Sequence, residues 1–145
     1  MQELPHHYIV SARGSISTSH IVVSSVGTCD ITTDTPAEFG GPGDQWSPEA
    51  LLMAAVADCF VLTFRAIAHA SKCEWHDIHC VATGTLDRED RVTRFTDVAL
   101  TVKLTLPSGG DHRKVDRLLH KAEEHCLITN SMSSTITLST HIQDD

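Results

Sequence analysis

Two cysteines carry the chemistry this sequence could perform. Cys59 lies in the apolar run Leu51-Leu52-Met53-Ala54-Ala55-Val56-Ala57-Asp58-Cys59-Phe60, and Cys126 closes a second helical stretch just before Leu127-Ile128-Thr129-Asn130-Ser131. A thiol in the middle of an apolar helix does not read as the staple of a secreted, disulfide-framed domain. If the two thiols meet, they make a redox pair, because a sulfenic acid on one condenses with the other to a disulfide. The alternative is that both are small core hydrophobes, a common role of free cysteine.

Other groups of reactive residues read less sharply. Cys73, His76, His79 and Cys80 suggest a zinc site, but on a strand His76 and Cys80 share a face while His79 points opposite, so no metal is expected. The loop Gly40-Gly41-Pro42-Gly43-Asp44 lacks the Gly-Lys-Ser/Thr of a phosphate cradle. With 11 basic and 19 acidic residues and a net charge of −8, neither nucleic acid nor an anionic membrane is an expected partner. The apolar run at residues 50–62 contains Asp58 and is too short to span a bilayer. The first residues, Met1-Gln2-Glu3-Leu4-Pro5-His6-His7, lack the pattern of a signal peptide. Five cysteines without framework spacing suit a reducing, cytoplasmic setting.

The elements that must position the thiols follow from the pattern. At this length one domain, residues 1–145, is expected. Strands are expected at 6–13 and 15–26 around Arg13-Gly14, with a third at Cys29–Thr33. Ser47 then caps a long helix with Pro48 in its first position and Glu49 in its first turn. This helix is apolar on every face through Ala68, so burying it needs a sheet plus a second helix, or a second subunit. Strands return at about 75–87, before a polar turn Asp87–Arg91, and at Val98–Leu106, where apolar residues alternate strictly. Asp111 caps a second helix whose stripe Val115, Leu118, Leu119, Ala122 and Cys126 faces the core. Ile136, Leu138, Thr140 and Ile142 suggest a closing strand. The order reads as α+β with antiparallel sheets. Two packed helices with axes about 8–10 Å apart bring facing Cα atoms to roughly 4–5 Å, within disulfide range.

The ordered set Thr35-Pro36, Glu38-Phe39-Gly40-Gly41, Ser47-Pro48-Glu49 and Cys59-Phe60, followed by Cys126 and Thr129-Asn130-Ser131, resembles the OsmC/Ohr family of thiol-dependent organic hydroperoxide reductases. The resemblance covers nearly the whole chain. It implies antiparallel sheets wrapped around two central helices in an intertwined homodimer. It also implies that Cys59 attacks the peroxide, that Cys126 resolves the sulfenic acid, and that a dithiol reductant of lipoyl type restores both thiols. No cofactor or metal is implied.

A thiolate in the middle of a helix receives no help from a helix N-terminus, so a cation must stabilise it. In the family an arginine oriented by a glutamate does this. Glu49 matches the glutamate and Arg13, in the turn between the first strands, matches the arginine of one branch. The chain departs from the other branch, having Glu38-Phe39 before the Gly-rich loop, and it has Leu127 where a proline often follows the resolving cysteine. Arg65, about 240° around the helix from Cys59, faces elsewhere. Asp58 and His125 are expected to point away from the thiols beside them. Phe39, Trp46, Phe60 and Phe64 are expected to pack in the core or to line an apolar entrance. Glu49 precedes Cys59 by about 15 Å of helix, too far to serve its own chain's thiol, which places the expected sites across a dimer axis. The competing readings are an OsmC-like protein with weak or different thiol activity, and a small-molecule binding module with structural cysteines.

Overall fold

β-Branched residues crowd at Ile21-Val22-Val23 and Ile31-Thr32-Thr33, and in the computed structural model, which describes residues 2–145, both runs are strands. They belong to the first of two compact units, which ends at Leu51. Its sheet contains β1 (Ser11–Arg13), β2 (Ile21–Ser24) and β3 (Ile31–Thr33), antiparallel in the order β1-β2-β3. The strands are shorter than expected. Between β1 and β2 the Ser15 hydroxyl meets those of Ser17 and Thr18, and such Ser/Thr contacts compete with strand pairing in favour of turns. No hydrophobic side chain of this unit is buried among the described residues, and Tyr8, Ile9, Ile16 and Val26 are largely exposed.

Helix α1 (Pro48–Ala70) starts as the sequence predicts, with the Ser47 hydroxyl accepting from the Ala50 amide at 3.2 Å. The second unit runs from Leu52. In it β4 (Asp77–Glu89) and β5 (Val92–Leu106) form an antiparallel hairpin. The strands extend past the expected turn, leaving a two-residue loop, Asp90-Arg91, with φ of 49° and 68°. Both central residues of such a tight hairpin turn need positive φ, which Asp tolerates better than most. Asp111 caps α2 (His112–Glu124) by accepting from the Lys114 amide at 2.9 Å. A four-residue helix α3 (Leu127–Asn130) precedes β6 (Thr135–Asp144).

Two expectations are corrected here. β6 pairs with β5 in parallel, because the helical segment between them carries the chain back to the starting end of β5, as a crossover must. Cys126 is not on the α2 stripe. α2 ends at Glu124, and Cys126 is the N-cap of α3.

The core of the second unit lies between one sheet face and the helices. Val98, Leu100, Val102, Leu104 and Leu106 of β5 are at most 1% exposed, so strict alternation does place one face inside. Val56, Phe60, Phe64 and Ala68 of α1 are buried against them at helical spacing, as are Val115, Leu119 and Ala122 of α2. α1 is long and apolar enough to cross a membrane by composition, but this stripe makes it the core helix of a soluble type of fold. Its other faces are not enclosed within the chain: Leu62 is 43% exposed. The architecture is α+β, with two three-stranded sheets and three helices.

Candidate functional site

Each thiol is held by a different local device. Cys59 rides on α1 one residue before the buried Phe60, half-buried, with its sulfur 4.0 Å from the Thr63 hydroxyl one turn on. Cys126 is fully buried. Its backbone is pinned by the bend between α2 and α3: its amide donates to the Glu123 carbonyl, while its own carbonyl accepts from the Asn130 amide at 3.0 Å and from the Thr129 hydroxyl at 3.1 Å.

The fold brings these two thiols together. Burial pushes the Cys126 thiol above its ordinary pKa, the Thr129 amide and hydroxyl partly offset that, and the neighbouring Cys59 adds to the rise. Cys126 therefore holds its proton more firmly than an ordinary thiol. Cys80 of β4 faces the core with Ile78 and Ala82, and burial first, then Cys126, pushes its pKa up to about 11. The alternation along β4 contained the signal for this inward position, but nothing in the sequence linked Cys80 to the other two.

Glu49 stands in the first unit, on the wall of a cleft of about 400 Å³ lined by apolar side chains including Ala12, Ile21, Val23, Phe39 and Leu51. Its Oε2 is buried without a hydrogen-bond partner among the described residues. A buried carboxylate oxygen left so is costly, by about 1–3 kcal/mol or more. Arg13 does not supply the missing donor within the chain. Ala12 lines the cleft, so Arg13, next along β1, turns to the opposite, exposed face.

The remaining residues sort simply. Asp58, Arg65 and His125 are exposed, with His125 hydrogen-bonded to the Lys121 carbonyl at 2.9 Å. Phe60 and Phe64 are buried, whereas Phe39 and Trp46 are more than half exposed. His76 pairs with Asp145 at 2.9 Å, and His79 is exposed on the outer face of β4. Among the described residues no three His, Cys, Asp or Glu side chains converge on a metal position.

Comparison with known proteins bears on the fold and the family. The uncharacterized protein YmaD of Bacillus subtilis is 23% identical over 136 residues, covering 92% of this chain and 91% of that protein. An OsmC-like protein of unknown function from Vibrio cholerae has the same fold, with a TM-score of 0.81 at 20% identity over 96% of this chain and all of that one. An organic hydroperoxide resistance protein from Elizabethkingia anophelis superposes with a TM-score of 0.78 at 18% identity, covering 99% of this chain and 100% of that one. The organic hydroperoxide resistance protein OhrB of Bacillus subtilis gives 0.68 at 22% identity, covering 95% and 98%. The profile of the OsmC-like protein family matches residues 41–141, a span that holds Glu49, Cys59, Cys80 and Cys126. With that match over most of its length, the chain belongs to the OsmC-like family.

Proposed function

We propose that this protein is a thiol-dependent peroxidase that reduces organic hydroperoxides to alcohols. The observation that carries the reading is the nearness of Cys59 to the buried Cys126, brought together from separate elements. The half-buried Cys59 thiolate attacks the peroxide, releasing an alcohol and leaving a sulfenic acid. Cys126 condenses with it, water leaves, and a disulfide links the two. A dithiol reductant of lipoyl type restores both thiols by exchange, in a reducing cytoplasm.

The working unit in this reading is a homodimer with two equivalent sites. Three features support it: among the described residues the first unit buries no hydrophobic side chain, α1 leaves apolar side chains such as Leu62 exposed, and Glu49 carries an orphan buried oxygen. A second copy would cover the apolar surface and supply the cation. Arg13, turned away from its own chain's Glu49, is the residue proposed to reach the partner's site, and the apolar cleft would receive the alkyl part of the substrate. Two structural neighbours described as organic hydroperoxide resistance proteins share the fold.

Mass spectrometry after one equivalent of cumene hydroperoxide tests the reading. A Cys59–Cys126 disulfide is expected. Unmodified thiols would instead fit a small-molecule binding module in which the cysteines only pack.

A further inference from the structure

Thr63 meets the sulfur of Cys59, and the cycle above gives it no part. Its hydroxyl lies 4.0 Å from the Cys59 sulfur, one turn further along α1. The helix itself sets up this approach. Residues four apart share a face, and side chains lean towards the helix N-terminus, so Thr63 reaches back over Cys59. The turn is held in place, because Phe60 and Phe64, which follow these two residues, are both fully buried in the core. Cys59 and Thr63 therefore run side by side along the edge of the buried stripe, both half-buried. The threonine side chain is also stiff. Branching at Cβ leaves few helical rotamers, and these aim the hydroxyl at the preceding turn, where it faces the carbonyl and the sulfur of Cys59.

We propose that Thr63 is a further catalytic residue, whose hydroxyl donates a hydrogen bond to the Cys59 thiolate as it attacks the peroxide. This rests on the peroxidase reading above. While Cys59 is a thiol either group can donate, and at 4.0 Å the contact is long and weak. Once Cys59 is ionised only the hydroxyl can donate, and a bond to an anion is shorter and about twice as strong as a neutral one. The sulfur then draws the hydroxyl away from the Cys59 carbonyl, which already accepts from the Thr63 amide in the helix. The O–H bond of Thr63 stays intact throughout. The S–O bond forms, the O–O bond breaks, and the alkoxide takes its proton from solvent. Other groups add little charge at neutral pH. The core-facing thiols Cys73, Cys80 and Cys126 are all raised by burial and so are neutral, and on α1 Asp58 and Arg65 are exposed. The hydroxyl is thus a donor that the chain supplies by itself, alongside any cation from a partner.

The shape of a pH profile tests this. Alkylation of Cys59 by iodoacetamide, quantified by peptide mapping across pH, reads the thiolate without any peroxide. Thr63→Val keeps the shape and removes the donor, so the profile should move to higher pH by about one unit. Below the midpoint about tenfold less thiolate is present and each ion is about threefold more nucleophilic, so alkylation should slow about threefold. On the alkaline plateau the variant should instead react about threefold faster than wild type, because every thiol is ionised and only nucleophilicity differs. A merely structural disturbance would not cross over in this way. First-turnover consumption of cumene hydroperoxide should show the same shift, and Thr63→Ser should restore the wild-type profile in both assays. Overlying profiles, slowing by one factor at every pH, or a Ser variant that behaves like Val would overturn the inference. The two assays also separate its failure from that of the peroxidase reading. If the alkylation profile shifts but neither protein yields alcohol from the hydroperoxide, the peroxidase reading fails and the hydrogen bond stands. If alcohol is released and the alkylation profiles overlie, the hydrogen bond fails and the peroxidase reading stands.

Discussion

Thr129→Val probes how Cys126 can resolve a sulfenic acid while buried. The Thr129 hydroxyl donates to the Cys126 carbonyl at 3.1 Å and also favours the Cys126 thiolate, together with its own amide. Valine keeps the shape and removes the hydroxyl. A hydrogen bond to a charged group is worth about 1.5–3 kcal/mol, and turning to the sulfur gives up a neutral bond to the carbonyl worth about 0.5–1.5 kcal/mol. The net, on the order of 1–1.5 kcal/mol, is about one pKa unit. Removing a donor to the anion raises the pKa, so the variant holds about tenfold less thiolate at any pH below it. Each remaining thiolate is roughly threefold more nucleophilic, because reactivity rises with basicity at a Brønsted slope of about 0.4–0.5. Resolution should therefore slow about threefold at neutral pH, and its pH profile should move up by about one unit. Stopped-flow mixing with one equivalent of cumene hydroperoxide, followed by timed dimedone trapping of the Cys59 sulfenic acid, reads both quantities. Thr129→Ser should restore the wild-type profile. A Val profile that overlies the wild type, or a Ser variant that behaves like Val, would remove the hydroxyl from the chemistry.

Cys59→Ser should abolish peroxide turnover, whereas Cys126→Ser should still consume one equivalent and stall as a sulfenic acid; equal first turnovers in quenched-flow assays would reverse the roles. Arg13→Ala should slow peroxide consumption on the order of tenfold, since an opposite charge beside a thiolate stabilises it substantially, and an unchanged rate would leave Arg13 outside the site. Inactive Glu49→Ala and Cys59→Ser chains, co-refolded, should form heterodimers with one intact site and recover up to half of the wild-type activity per dimer. Verified heterodimers without recovery would reject a site shared between subunits. Leu104→Ala, at a side chain with no exposure near the end of β5, should cost about 2–5 kcal/mol in denaturant unfolding, and a loss well under this would mean the core collapses around the gap.

The elements the sequence revealed are those whose burial is decided within a few residues. The β5 alternation from Val98 to Leu106 and the Ser47-Pro48-Glu49 helix start are local statements, and both hold in the structure. The β6 direction was not local. Ile136, Leu138 and Ile142 look the same in a parallel or an antiparallel partner, and the distinction came from the length of the α2–α3 crossover. Cys126 was misplaced for a related reason. The apolar stripe of α2 extrapolates smoothly to residue 126, but the helix stops at Glu124 and the cysteine caps the next turn. Capping rather than striping is what aims its sulfur, and Cys is not among the residues that announce an N-cap.

Burial divides the labour between the two paired thiols more clearly than sequence could. Under the proposed cycle an external dithiol must attack the disulfide at the sulfur it can reach, which is that of the half-buried Cys59 and not that of the enclosed Cys126. Cys126 is then the leaving group, and a leaving thiol departs faster when its pKa is low. Desolvation works against this, because it raises the energy of the departing thiolate. The Thr129 amide and hydroxyl work in its favour. The same two donors that let Cys126 attack the sulfenic acid would therefore let it leave again during reduction, so one residue governs both halves of the cycle.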